Sequence, residues 1–295
     1  MRVLDIAELL LLAALWGGTF LFMRIASPIL GPVWLIEIRV LLAGLVLLPF
    51  LIRLDLLNDV RRKLMPLFVI GCINSAIPFL LFAFASLSLP AGFTSILNAT
   101  TPLFGTIVAS GWFKEKLSVA RMIGFVLGFT GVVILVGGKT IATTQPFLIA
   151  VGAGLLAALL YAIAAPYIKQ QLAGVPSLAI TTGSLLSAAV FLLPAMPFTA
   201  PKTIPTTTVI LAVLGLALLS TSLAYILYYR LINKIGSTRA LTVAYLVPFF
   251  AVLWGTIFLK ETVTISMIFG CSLILLGTAI ANDLFVIVRG SSRNL

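Results

Sequence analysis

The sequence predicts an all-α membrane protein: ten transmembrane helices forming two inverted five-helix repeats around a central cavity, with both termini cytoplasmic. Three observations carry that expectation. The 295 residues are 61 % hydrophobic and 9 % charged, with a mean hydropathy of +1.23, far outside the range of soluble domains. The chain also repeats itself at an offset of 146, so that 78–134 lies on 224–280 without a gap. Pro102 then falls on Pro248, Phe104 on Phe250, Lys114-Glu115 on Lys260-Glu261, Gly124 on Gly270 and Gly131 on Gly277. Finally, the basic residues are divided unevenly between the two sides that ten spans define.

Each expected helix is an apolar run long enough to cross ~30 Å of hydrocarbon. The first, 5–26, holds the run Leu9 to Leu15, which imitates a signal peptide. Ala14-Leu15-Trp16 recurs near Leu159-Leu160-Tyr161, so this segment is read as an uncleaved first span opening a repeat. The second, 33–52, begins after Pro32; the third, 65–87, ends at Ser88-Leu89-Pro90-Ala91-Gly92. The fourth, 91–113, carries Pro102 in mid-span, and the fifth, 117–137, carries the row Gly124, Gly128, Gly131. A Gly-, Thr- and Gln-rich linker at 137–146 separates a first repeat, 1–138, from a second, 147–295. There the spans are expected at 147–168, 177–196, 209–229, 237–259 and 263–287, the ninth with Pro248 and the tenth with Gly270 and Gly277. Five runs per repeat is an odd number, so the second copy crosses in the opposite direction. Continuous Leu, Ile, Val and Phe runs exclude a β-barrel, whose strands alternate.

Ten spans place fourteen Lys and Arg on the side of the termini and four (Arg24, Lys139, Lys202, Lys260) on the other, with Arg39 inside a span. That bias sets the termini in the cytoplasm, in the inner membrane of a cell that has one, with Glu115 on the cytoplasmic face and Glu261 on the other. The net charge of +11 is therefore topological, and nucleic acid is not an expected partner. The expected partners are a small-molecule substrate and the lipid bilayer. The glycine rows fit packing within one chain, a monomer, or the seam of a homodimer. Cys72 and Cys271 fall inside spans and read as buried apolar thiols.

Enzymatic chemistry has little to draw on. The sequence contains no His, its aspartates (Asp5, Asp55, Asp59, Asp283) lie at helix ends or in a loop, and no glycine loop followed by Lys and Ser/Thr could hold nucleotide phosphates. No cofactor, metal or catalytic residue is expected. What remains is a polar and aromatic lining. Ser75, Phe79 and Phe82 share a helical face, and adding 146 gives Thr221, Tyr225 and Tyr228. Thr94, Asn98 and Thr101 form a second stripe beside Pro102; its counterpart before Pro248 has lost polarity, which Tyr245 could restore. Hydrogen bonding between helices is the alternative role for these Thr and Asn side chains. Trp16, Phe20 and Tyr161 are aromatic at mid-span depth, where an interfacial belt cannot explain them and lipid-facing or core packing is the alternative to a cavity lining. Pro102 and Pro248 are the expected hinges.

Helix 2 holds the abnormal charges. Arg39 lies about 7 residues, or ~10 Å, past Pro32, and is read either as an anchor for a carboxylate or other anion or as a clamp on carbonyl groups. Glu37, two residues earlier and on another face, is read either as a proton carrier for coupling or as a partner of Arg24.

With Leu15-Trp16-Gly17-Gly18, Pro32 before Arg39, and the doubled Pro-then-Lys-Glu pattern, the chain resembles the drug/metabolite transporter superfamily and, within it, the ten-helix EamA family of permeases. The resemblance spans essentially all 295 residues. It implies two inverted five-helix bundles around a cavity lined mainly by helices 1, 3, 4, 6, 8 and 9, and alternating-access transport of small metabolites such as amino acids, often outward. A His that contributes to the cavity in amino-acid exporters of the superfamily has no counterpart here. Uptake or facilitated diffusion of a vitamin- or nucleoside-like solute remains a second reading, and a sensor or accessory subunit a third.

Overall fold

A backbone in hydrocarbon has no water to bond to, and the chain accordingly pairs its N–H and C=O groups within helices. The computed structural model describes residues 3–113, 118–138 and 144–282, and no strand occurs among them. Glu115 and residues 283–287 of the expected last span lie outside the described residues. In chain order the helices are α1 (Val3–Arg53), α2 (Leu57–Arg62), α3 (Leu64–Ala85), α4 (Ala91–Asn98), α5 (Thr101–Phe113), α6 (Val119–Gly137) and α7 (Gln145–Gln171). After them come α8 (Ser177–Phe198), α9 (Thr207–Ile235), α10 (Ser237–Ala240), α11 (Val243–Leu259) and α12 (Ile265–Ala281). Six of these, α1, α3, α6, α7, α8 and α9, are long and apolar enough to cross a bilayer, and α11 and α12 are shorter apolar helices. Outward-facing Leu41, Leu45, Val126, Phe249 and Phe269 are exposed, as lipid-facing side chains are. The chain is a multi-pass membrane protein.

Gly31, whose φ of 74° and ψ of 155° are open to glycine, breaks α1 into two helical limbs just before Pro32, between the first two expected spans. Two expectations about continuity are corrected. The fourth is not continuous: α4 stops at Asn98 and α5 starts at Thr101. Pro102 has no N–H to offer the Asn98 carbonyl, and three hydroxyls bond carbonyls at the break: Thr100 donates to Leu97, Thr101 to Asn98 and Thr278 to Ala99. The ninth breaks between α10 and α11, where Thr242 donates to the Arg239 carbonyl at 2.7 Å.

Two π segments interrupt otherwise α-helical spans, Gly71–Ala76 inside α3 and Gly215–Leu223 inside α9. They coincide under the 146-residue offset, since 71 and 76 map to 217 and 222. In both, an N–H reaches back five residues, Ile77 to Cys72 and Ala224 to Leu219. Pro78 follows the first segment, but its counterpart Ala224 follows the second, so proline is not the common cause. In α9, Thr221 and Ser222 bond the carbonyls five residues back, at 2.8 and 3.0 Å.

Glycine sets the closest helix contact. A Cβ on Gly124 would lie 2.5 Å from the Gly277 carbonyl oxygen, and one on Gly131 2.7 Å from that of Gly270, so α6 and α12 touch backbone to backbone. The glycine row is thus taken up by packing within the chain. Gly17 is pressed as closely on α11, its notional Cβ 2.8 Å from the Ala251 nitrogen, while Trp254 Nε1 donates to the Ala14 carbonyl at 3.0 Å. Overpacking of this kind costs about 1–3 kcal/mol. Gly131→Val should therefore lower the melting temperature of the purified protein clearly, whereas Gly152→Ala, with nothing within 4 Å of its Cβ, should leave it unchanged or raised.

Candidate functional site

A cavity of about 410 Å³ lies among α1, α3, α7, α9, α11, α12 and the break between α4 and α5. Its deep end is sealed: Phe20, Met23, Arg39, Phe79 and Phe82 are each buried. Its shallow end is lined by Leu241, 55 % exposed, and by Ala244, also exposed, just past the helix end where Arg230 and Lys234 each hold Glu8 at 3.1 Å. Both interrupted spans thus place their breaks on the cavity wall, where non-helical backbone faces protein and solvent rather than lipid.

Two groups of rings form the walls. Trp16 meets Tyr225 and Tyr228 with centroids 6.3 and 5.1 Å apart. Tyr161 meets Phe79 and Phe82 at 6.5 and 6.0 Å, and Phe82 in turn meets Phe20 at 5.9 Å. Phe79 and Phe82 lie 146 residues before Tyr225 and Tyr228, and Trp16 lies 145 before Tyr161. The groups are therefore the same motif in two copies, separated at these spacings as edge-on and tilted aromatic pairs.

Arg39 breaks the correspondence. Its counterpart region, Ser184-Leu185, carries no charge. Its guanidinium is buried in the deep wall with the central carbon 3.6 Å above the Phe79 ring, and Nε donates to Thr221 Oγ1 at 3.0 Å. Nη1 has no hydrogen-bond partner. Among the described residues lining the cavity, Arg39 alone is charged.

Most of the residues singled out from sequence come together here: Trp16, Phe20, Arg39, Phe79, Phe82, Asn98, Thr101, Tyr161, Tyr225, Tyr228 and Tyr245 all line the cavity. Ser75 and Thr221 do not; the neighbouring Asn74 and Ser220 take their places. The π segments explain the exchange. An α-helical count back from Phe79 or Tyr225 reaches the wrong residue when the intervening turn holds an extra one. Thr94 is turned onto the Pro90 carbonyl at 3.0 Å. Pro102 lines the cavity at the start of α5, where its missing N–H costs no bond, and Pro248 lies buried inside α11. Glu37 is buried off the cavity wall with Oε2 unpartnered. Sequence reasoning missed Thr19, three residues past Trp16 on the same face, and Leu275 and Thr278 of α12, where no charge or aromatic marked the wall.

Arg24 is not the partner of Glu37. Its Nη1 donates to the Ser86 and Leu87 carbonyls at 2.7 and 2.9 Å, and its Nε lies 3.8 Å from Glu261. Glu261 in turn accepts from the Ala91 N–H at 2.9 and 3.1 Å, capping α4 with a carboxylate from the far side of the sequence. Arg24 lies sixteen residues, or about 24 Å of helix, from Glu8, so the two ionic clusters mark opposite ends of one limb.

The sequence profile of the EamA-like transporter family matches residues 6–137 and again 148–282. The chain belongs to this family. Relatives include YoaV of Bacillus subtilis, named an uncharacterized transporter, 25 % identical over 89 % of this chain and 91 % of its own. YedA of Escherichia coli, named an uncharacterized inner membrane transporter, is 28 % identical over 82 % of this chain and 78 % of its own. A crystal structure of another protein, 19 % identical, superposes with a TM-score of 0.67 over 96 % of this chain and 99 % of that one, and so shares the fold. Transport, not catalysis, is the activity to which the family points.

In a protein freed of Cys72 and Cys271, Asn74→Cys and Ser220→Cys should react with a water-soluble thiol reagent. Ser75→Cys and Thr221→Cys should stay unlabelled. Labelling of the second pair in preference to the first would contradict the π-segment register.

Proposed function

We propose that this protein is a secondary transporter that moves a small organic metabolite, such as an amino acid or related compound, through the central cavity by alternating access, outward across the inner membrane. The observation that carries this is a cavity open at one end and sealed at the other by contacts that can be broken without unfolding a helix. Beyond the buried residues that close the deep end, we assign the seal's latch to the Arg24–Glu261 cluster, which joins the first limb of α1, the carbonyls after α3, the start of α4 and the turn after α11. The proposed membrane arrangement is ten spans in two inverted repeats, 1–138 and 147–295, with both termini cytoplasmic. In that frame the open end faces the cytoplasm. The positive-inside count and the doubled family match support the frame.

The side-chain hydroxyls and amides of Asn74, Asn98, Thr101 and the four tyrosines on the wall suit a polar solute, and the rings suit a flat one. That second feature favours the alternative of a vitamin- or nucleoside-like substrate, carried in either direction. Asn98, Thr101 and Pro102 at one helix break, and Leu241 and Tyr245 at the other, are assigned to contacts that remake as the cavity changes side, with Pro102 and Pro248 as the hinges.

Counterflow in proteoliposomes, with amino acids, vitamins and nucleosides as paired internal and external solutes, tests the proposal. At least one solute should exchange. In a variant joining Arg24→Cys to Glu261→Cys, oxidation should abolish that exchange and a reductant should restore it. Undiminished exchange with the crosslink formed would sink the role given to this seal.

A further inference from the structure

Resting on the transport reading above, the geometry points to a substrate class: a small aromatic monocarboxylate, its carboxylate on the Nη edge of Arg39 and its ring against the aromatic walls. A buried guanidinium is costly to desolvate, by several kcal/mol, unless an anion or several acceptors compensate it. Among the described residues, its direct contacts are one hydroxyl and one ring face, Thr221 and Phe79. Since Nε is committed to Thr221, the fork left for a planar anion is the Nη end, and Nη1 is without a partner. That unpartnered donor is itself closed off from solvent, on a residue only 4 % exposed that lines the cavity.

Charge balance then selects the substrate. No carboxylate stands among the described residues on the wall, so an ammonium meets only hydroxyls and ring faces; no second cation stands there either, so a dianion would be half-neutralised. A monoanion completes the site with a full charge pair, and so ranks above the amines and above the amino acids of the broader reading. The flat body follows from the two ring groups, Trp16 with Tyr225 and Tyr228, and Tyr161 with Phe79 and Phe82. A volume of about 410 Å³ holds a molecule of this size and excludes a folded peptide. The two copies supply similar rings and only one supplies a charge, so a substrate with one ring and one anionic end has a single orientation in the cavity.

Isothermal titration calorimetry on the full-length protein in nanodiscs tests this with phenylacetate, phenylalanine and phenylethylamine, which share a ring and differ in charge. Phenylacetate should bind, phenylalanine at least about tenfold more weakly, and phenylethylamine not measurably. Arg39→Lys should weaken phenylacetate about tenfold through loss of the fork, and Arg39→Gln about a hundredfold or more, with the melting temperature of the empty protein kept. Phenylalanine or phenylethylamine binding as tightly as phenylacetate overturns the proposal, as does full phenylacetate affinity in Arg39→Gln. The wild-type series decides the matter even where Arg39→Gln fails to fold. Exchange of another solute without phenylacetate binding would defeat the substrate class and leave transport standing. Phenylacetate binding with no exchange of any solute would leave the site and defeat transport.

Discussion

The rest of the structure depends on one constraint: a backbone inside a bilayer must find all its hydrogen bonds within the protein. Helices satisfy it by default, so each departure from α geometry needs its own partners. The α4–α5 break has them in the hydroxyls of Thr100, Thr101 and Thr278. The second π segment has them in Thr221 and Ser222. These irregular places surround the cavity, and the same irregularities decide which side chains face it. Asn74 and Ser220 are on the wall because an extra residue is wound into each π turn.

On that frame two similar copies have been given unequal chemistry. The ring groups around Trp16 and Tyr161 occupy matching positions, with Tyr225 and Tyr228 in one copy where the other has Phe79 and Phe82. A repeat alone would make a cavity indifferent to which way a solute lies. Arg39 removes that indifference, because only one copy carries the charge and because Phe79 and Thr221, one from each copy, hold its guanidinium. Its position also ties the two repeats together inside the cavity, while Glu261 on Ala91 ties them at the sealed end. Glycine joins them along the side, where α6 and α12 meet at backbone contact.

Much of this was legible in the sequence. Apolar runs locate the helices, since hydrocarbon thickness fixes their length, and the 146-residue offset alone brings Phe79 and Phe82 into register with Tyr225 and Tyr228. Arg39 was conspicuous because a charge inside a span is expensive. The faces of Ser75 and Thr221 were misread, because an i, i+4 count assumes the very geometry that the π segments abandon. The breaks after Asn98 and Ala240 were hidden as well: Pro102 reads as a kink in mid-helix until the hydroxyls that close off the preceding carbonyls are seen. Arg24 and Glu261 lie 237 positions apart, and no local pattern pairs them; only the folded chain brings a loop carboxylate of one repeat onto the helix start of the other.

The central claim is that a substrate anion occupies the cavity with its charge on Arg39 and its ring between the two aromatic walls. The most direct measurement is a structure of the protein with 4-iodophenylacetate, the iodine located by its anomalous scattering. The account predicts iodine within the cavity, on the side of Tyr228 and Tyr245, and carboxylate oxygens about 3 Å from the Nη atoms of Arg39. Iodine beside Arg39, or a ligand bound outside these walls with the cavity empty, would contradict it.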